Sequence, residues 1–190
     1  MNYYRDQITQ KSWELLQQLV RKYHFVLIGG WAVWLYTHGL KSKDIDVIVE
    51  FDQLEKLRQN FPMIKNERLK KYEIVQDTTQ VDVYVPHYSQ LGVSIPDVLA
   101  SAVNTEGFFV PRPEVLLALK YTAYQARAGS SKGRKDLIDI ISLLTLPQLV
   151  WTKVPVQTVE LAATQTSVPE LSLNAHQYSR LKKTWQAKLQ

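Results

Sequence analysis

Residues 44–50 read Asp-Ile-Asp-Val-Ile-Val-Glu, and no other stretch constrains the fold as tightly. Alternate side chains of a strand share a face. Asp44 and Asp46 therefore project together, while Ile45, Val47 and Val49 project to the other side and need a core to bury them. Residues 80–85 repeat the pattern, with Val81, Val83 and Val85 facing in and Asp82 and Tyr84 facing out. A strand with one apolar face belongs in a sheet covered by other elements. If these two strands are neighbours, Asp44, Asp46 and Asp82 converge.

The remaining pattern supplies the covering elements. Residues 5–22 predict an amphipathic helix with Ile8, Trp13, Leu15, Leu16 and Leu19 on its buried side. Phe25–Ile28 predicts a short strand, stopped by Gly29-Gly30 and followed by a helix over 31–38 that Gly39 ends. Residues 52–60 predict a short polar helix. Residues 70–76 and 80–85 predict two strands joined at Asp77-Thr78-Thr79, the second closed by Pro86. A helix is expected over 96–103, begun by Pro96-Asp97, then a strand over Phe108–Val110. Helices follow over 113–127 and 134–145, separated by a Gly/Ser/Lys loop at 128–133. The stretch 147–172 carries no assignable pattern, and 174–188 predicts a terminal basic helix. The fold class expected is α+β, a small mixed β-sheet flanked by helices with an appended C-terminal helical region. The division expected is a core over 1–110 and a helical region over 111–190 that completes the site.

Composition narrows the chemistry. The chain has 190 residues and no cysteine, which removes disulfides, thiolate nucleophiles and cysteine-ligated zinc. No apolar run approaches the roughly 20 residues needed to span a bilayer. Met1 to Lys11 lacks the apolar core of a signal peptide, so a cytoplasmic protein without a membrane partner is expected. The net charge of +5 suits an anionic partner such as nucleotide or nucleic acid, and suits ordinary solubility as well.

Three converging carboxylates are costly without cations. At about 4 Å and an effective dielectric of about 20, each pair repels by roughly 4 kcal/mol. Hard oxygen ligands favour magnesium over zinc. Two magnesium ions held there could activate an attacking oxygen and stabilise a departing pyrophosphate. Gly29-Gly30, placed before a helix, lets backbone approach a phosphate closely. Each piece alone also reads as ordinary structure: a solvated strand face, a turn, an edge-strand aspartate.

Strand, Gly-Gly, helix, Asp-Ile-Asp on a strand and a distant Asp82 on another strand together resemble the polymerase-β-type nucleotidyltransferases. Pro113-Glu114-Val115-Leu116-Leu117-Ala118-Leu119-Lys120, then Arg127, then Arg134-Lys135-Asp136-Leu137-Ile138-Asp139-Ile140, is similar to the AbiEii branch, which includes nucleotidyltransferase toxins of toxin–antitoxin and phage-defence systems. The resemblance covers roughly residues 20–145. It implies a triphosphate contact at Gly29 and Gly30, and metal ligation by Asp44 and Asp46. Asp82 would complete the site and help deprotonate the acceptor. It further implies that Lys120 reaches the phosphates and that Asp136 and Asp139 form the late acidic pair of the final motif. Relatives often carry Arg four residues and Thr two residues before the first Asp; here those positions are Leu40 and Ser42. Ser42 keeps the hydroxyl, and Lys41 or Lys43 would stand in for the arginine as a point charge in place of a planar fork.

By that resemblance the chain is expected to be a magnesium-dependent enzyme transferring NMP from an NTP to an acceptor hydroxyl on a tRNA end, a protein or a small molecule. A toxin role, with an antitoxin protein as partner, is implied by the same resemblance. The alternative is a catalytically silent nucleotide- or partner-binding module. Lys120, Tyr124 and Arg127 fall roughly along one helix side, as phosphate ligands or as snorkelling edge residues. Asp136 could cap its helix; Asp139 could orient Lys120. His24, His38, His87 and His176 show no metal spacing. Two basic runs, Lys65/Arg68/Lys70/Lys71 and Arg180/Lys182/Lys183/Lys188 around Trp185, suit RNA or a solvated surface. Trp31 and Trp34 are expected in the core.

Overall fold

The computed structural model describes residues 2–165. The expected helix over 174–188, the second basic run and His176 lie outside the described residues. The strands are β1 (Val26–Ile28), β2 (Ile45–Ile48), β3 (Ile64–Asn66), β4 (Lys71–Gln76), β5 (Thr79–Tyr84), β6 (Ala102–Thr105) and β7 (Phe108–Pro111). The helices are α1 (Asn2–Val20), α2 (Gly29–Thr37), α3 (Phe51–Asn60), α4 (Ile95–Ala100), α5 (Pro113–Arg127), α6 (Ser131–Leu144) and α7 (Val156–Gln165).

Five strands form one mixed sheet in the order β1-β2-β5-β4-β3. The central pair β2–β5 is parallel, and β1–β2, β4–β5 and β3–β4 are antiparallel. The fold is thus α+β, a mixed sheet flanked by helices. One face carries Leu27, Ile45, Val47, Val81 and Val83 into a core shared with α1, α2, α5 and α6. That core runs without interruption from Leu15 to Ala162, across residue 110. On the other face a smaller cluster packs Val26, Ile28 and Ile48 against Ile95 and Val98 of α4. β2 is therefore apolar on one side along its length and divided on the other, with Asp46 at the open end and Ile48 under α4.

α1 docks through the predicted Leu15, Leu16 and Leu19, while Ile8 is only half-buried. Ser12 beneath them accepts a hydrogen bond from Trp31 Nε1 at 2.9 Å. Trp31 is fully buried and Trp34 partly so, within an aromatic cluster with Trp13 and Phe108. This satisfies an indole N–H that would otherwise be stranded in the core.

Several boundaries differ from the sequence reading. The helix expected over 96–103 stops at Ala100, and residues 102–105 instead pair with β7. Glu106 and Gly107, both at positive φ, make the connecting turn, a conformation that favours a tight hairpin. β3, a short and mostly exposed edge strand, has no apolar alternation to reveal it. α6 begins at Ser131 and not at 134, because the Ser130 side chain caps it by accepting from Gly133 N at 3.0 Å. The Gly-Ser-Ser-Lys-Gly stretch therefore reads as loop but folds as cap and first turn. A Cβ on Gly133 would lie 2.2 Å from the Arg127 carbonyl oxygen, so this glycine is what lets α6 turn back tightly onto α5. α7 lies in the stretch that carried no assignable pattern.

Candidate active site

At the open end of the central strands lies a cavity of 400 Å³. Its floor is Asp44, Asp46, Asp82 and Tyr84, and one wall is the start of α2 with Gly29, Gly30 and Ser42. The opposite wall comes from α5 and α6 and presents Leu116, Leu119, Lys120, Ala123, Lys132 and Lys135. These side chains meet because β1 leads directly into α2, and α2 packs against α5 and α6. Of the expected site residues, the cavity brings together Gly29, Gly30, Ser42, Asp44, Asp46, Asp82, Lys120 and Asp136. Lys43 is exposed and does not line it, and Asp139 lies buried beneath Lys120.

α2 starts with no side-chain cap on its first-turn amides. Such free N–H groups at a helix start suit an anion. Gly29 has φ +69°, and a Cβ there would fall 2.2 Å from Asp46 Oδ2. Backbone and carboxylate touch only because residue 29 has no side chain.

The carboxylates sit in one row across the sheet. Ile28, Asp46, Asp82 and Glu73 are successive register partners on β1, β2, β5 and β4. Like charges directly opposite one another are destabilising. Lys71, on the same face of β4 as Glu73, answers this with Nζ at 2.6 Å from Asp82 Oδ2 and 3.1 Å from Glu73 Oε1. Gln80 Nε2 donates to Asp82 Oδ1 at 2.7 Å. Burial works against the Lys71 ammonium, but Asp82 and Glu73 outweigh it and hold its pKa above the ordinary value. Lys71 is buried, which corrects its expected place in a surface basic run; Lys65, Arg68 and Lys70 do stay near solvent.

Asp46 has no such partner at hand. Burial, then the Asp82 charge, push its carboxyl up to about 6, while Lys120 pulls less strongly the other way. The Tyr84 hydroxyl bonds to Asp46, and burial with these two aspartates raises the phenol well above its ordinary pKa. Asp44 faces Lys132 Nζ at 3.4 Å across a largely exposed pair.

On the helical wall, Lys120 Nζ lies 2.7 Å from Asp139 Oδ2 and 3.3 Å from Asp136 Oδ1. Burial tends to lower the Lys120 pKa, but the two aspartates more than offset it and keep the ammonium charged. Burial in turn raises the Asp139 carboxyl against the pull of Lys120. Arg127 grips Asp136 with Nε at 2.7 Å and a second N–H at 3.0 Å, the planar fork that suits a carboxylate. Asp136 is therefore an anchor between α5 and α6 and not a helix cap; Ser130 has that role. Asp139 orients Lys120, as the sequence suggested it could.

Neither Lys41 nor Lys43, expected to stand in for an arginine before Asp44, lines the cavity. Lys41 and Lys43 both point to solvent, and the cation beside Ser42 is Lys135, with Nζ 3.4 Å from Ser42 Oγ. Burial lowers the Lys135 pKa, with Asp139 opposing and Lys120 assisting. Sequence reasoning missed Lys71, Lys132 and Lys135 as site residues.

Among the described residues, no three His, Cys, Asp or Glu side chains are arranged to hold a metal ion together. Both Asp82 oxygens already have donors. Asp44 and Asp46 offer hard oxygens to the cavity beside an anion-accepting helix start. A pair of carboxylates fits magnesium, which keeps waters and takes other ligands from substrate phosphate. Among the described residues, no helix is long and apolar enough to cross a membrane.

No protein-family model and no curated protein matches the chain. Solved structures with a similar chain course include an antigenic nucleotidyltransferase-like protein from Paracoccidioides brasiliensis, 20% identical over 93% of each chain with a TM-score of 0.48. A Helicobacter pylori protein described as a candidate nucleotidyltransferase is 14% identical, over 90% of this chain and 87% of that one, with a TM-score of 0.45. JHP933 from Helicobacter pylori is 15% identical, over 95% and 90%, with a TM-score of 0.45. The likeness is one of fold.

Proposed function

We propose that this chain is a nucleotidyltransferase that moves a nucleoside monophosphate from an NTP to an acceptor hydroxyl and releases pyrophosphate. The observation that carries this reading is the convergence, in one cavity, of an uncapped helix start, paired carboxylates and four lysines, three of them on α5 and α6. Few other chemistries need a cation-binding pair and an anion-binding wall a few ångströms apart.

In this reading the triphosphate lies along the first turn of α2, where Gly29 and Gly30 allow close approach. Lys120, Lys132 and Lys135 face it from α5 and α6 and balance its charge. Asp139 and Asp136 keep Lys120 charged and aimed. Ser42 offers a hydroxyl between the helix start and Lys135. Leu116, Leu119 and Ala123 form an apolar side of the cavity that excludes water and gives a nucleobase or an acceptor a surface to pack on. Asp44 and Asp46 would hold magnesium, whose chemistry there is to neutralise developing phosphate charge during in-line displacement. We favour a tRNA end as acceptor on the strength of the +5 net charge.

The test is incubation of the full chain with each α-labelled NTP and magnesium, with and without total tRNA, beside Asp44→Ala/Asp46→Ala. Label on tRNA that disappears in the control supports the reading and names donor and acceptor. Label on protein or a small molecule keeps the reaction and changes the acceptor. NTP-dependent thermal stabilisation with no label anywhere favours a silent nucleotide-binding module, a reading that the occupied state of Asp82 gives some weight.

A further inference from the structure

The geometry points to a site that takes one divalent cation, on Asp44 and Asp46, with Lys71 serving Asp82 as a permanent built-in cation in place of a second metal ion. This rests on the nucleotidyl-transfer reading for its setting, but its substance is the pairing of side chains.

The row Asp46–Asp82–Glu73 places three carboxylates side by side on neighbouring strands. Their charge has to be met by something. At the Asp82 end the chain meets it itself: Lys71 Nζ lies 2.6 Å from Asp82 and 3.1 Å from Glu73. Gln80 donates to the other Asp82 oxygen at 2.7 Å, and Asn66 donates at 2.8 Å to the same Glu73 oxygen that Lys71 meets. Lys71 is 6% exposed and Asp82 8%, so the pair is largely buried although both side chains border the cavity. A metal ion arriving at Asp82 would have to displace a buried ammonium from its carboxylate partner, and buried charges parted in this way are strongly destabilising.

The Asp46 end is different. Lys120 and Lys71 act on Asp46 through charge at a distance, without a hydrogen bond. Asp44 is met by Lys132 alone, at 3.4 Å and on a side chain 68% exposed, which can swing away at little cost. Asp46, bonded only by the uncharged Tyr84 hydroxyl, and Asp44, beside an exposed lysine, stay available to a cation, while an ammonium fills Asp82 at the other end; this specifies one ion, not two.

Manganese, a magnesium substitute visible by electron paramagnetic resonance, counts the sites directly. The wild-type chain is expected to take up one Mn2+, and Asp46→Asn to take up none. Lys71→Met/Asp82→Asn removes both members of the closest pair and deprives only Glu73, part-exposed and still held by Asn66, of its lysine, so it should keep one ion with Kd changed by no more than about threefold. Lys71→Met alone should expose Asp82 and Glu73 and raise the count to two. Two ions on the wild type, no ion on the wild type, loss of the ion in the double variant, or a folded Lys71→Met that still takes one would each overturn the proposal. If Lys71→Met does not fold, the double variant decides. The count needs no NTP, so a protein that never transfers nucleotide still answers it.

Discussion

Asp46 and Asp82 are register partners on the parallel strands β2 and β5, so their carboxylates stand beside each other on one face of the sheet. Only Asp82 has a lysine against it. Burial first, and then the Asp82 charge, give Asp46 a carboxyl that keeps its proton up to about pH 6.

That asymmetry sets a pH dependence. The folded Asp46 titrates near 6 against an unfolded value of 3.8, so between those values the folded state holds a proton that the unfolded state has released. Stability should therefore fall as pH rises from about 4 to about 6, and this contribution should be flat above. Asp46→Asn should remove that slope and raise stability at pH 7.5 by about 2 kcal/mol, the scale of a two-unit shift discounted for relaxation. Thermal unfolding of both proteins between pH 4 and 8 checks it. Parallel curves would mean that Asp46 titrates normally.

Gly29 predicts a sharper effect. Alanine there must adopt φ +69° and place its Cβ 2.2 Å from Asp46 Oδ2. The expected cost is about 1–3 kcal/mol, together with loss of magnesium-dependent stabilisation by NTP, because the carboxylate has to move. A Gly29→Ala protein that unfolds at the wild-type temperature and responds to NTP as before would show that α2 does not start where the geometry places it.

The elements legible in the sequence were those with a period. Asp44, Asp46 and Asp82 were visible because valines and isoleucines alternate with them, and Gly29 because it interrupts an apolar strand. Lys71, Lys132 and Lys135 were not, since a lysine in a charged stretch has the same local pattern whether it faces solvent or a cavity. A signal for Lys71 did exist. Counting back from the Asp77-Thr78 turn puts Glu73 opposite Asp82, and two opposed carboxylates call for a cation on the same face, where residue 71 falls. Ser130 and Gly133 were hidden because a cap and a close helix contact use the same residues as a loop. The partner of Lys120 was legible as Asp139, but Arg127 gripping Asp136 depends on how α5 crosses α6, which no local pattern encodes.

Lys120 separates stability from function. Lys120→Met leaves Asp136 and Asp139 buried beside a missing ammonium, although Arg127 still holds Asp136. Breaking a buried pair in this way should cost about 3–5 kcal/mol. Lys120→Met/Asp139→Asn removes the stranded charge and should recover most of that loss in chemical denaturation. Under the proposed function nucleotide affinity should not return with it, since the ammonium assigned to the phosphates is still absent. Recovery of both would reduce Lys120 to a structural residue.

Lys135 should behave in the opposite way. It is half-buried, its Nζ lies 3.4 Å from Ser42 Oγ and 3.4 Å from the Lys41 carbonyl oxygen, and burial lowers its pKa. These long contacts repay little of the cost of holding a desolvated cation, so Lys135→Met should leave stability within about 0.5 kcal/mol of wild type or raise it. A cation kept in an unfavourable place without structural benefit is explained by an anion that arrives there. Affinity for a non-hydrolysable NTP with magnesium should accordingly fall by about tenfold or more, the scale of one lost charge-assisted bond. Lys135→Arg should retain part of that affinity, because the positive charge beside Ser42 is kept. Calorimetry on the three proteins, with unfolding curves alongside, decides it. A loss of stability with unchanged affinity would make Lys135 a strut between α6 and the Ser42 loop, and the helical wall would then need another residue to meet the phosphates.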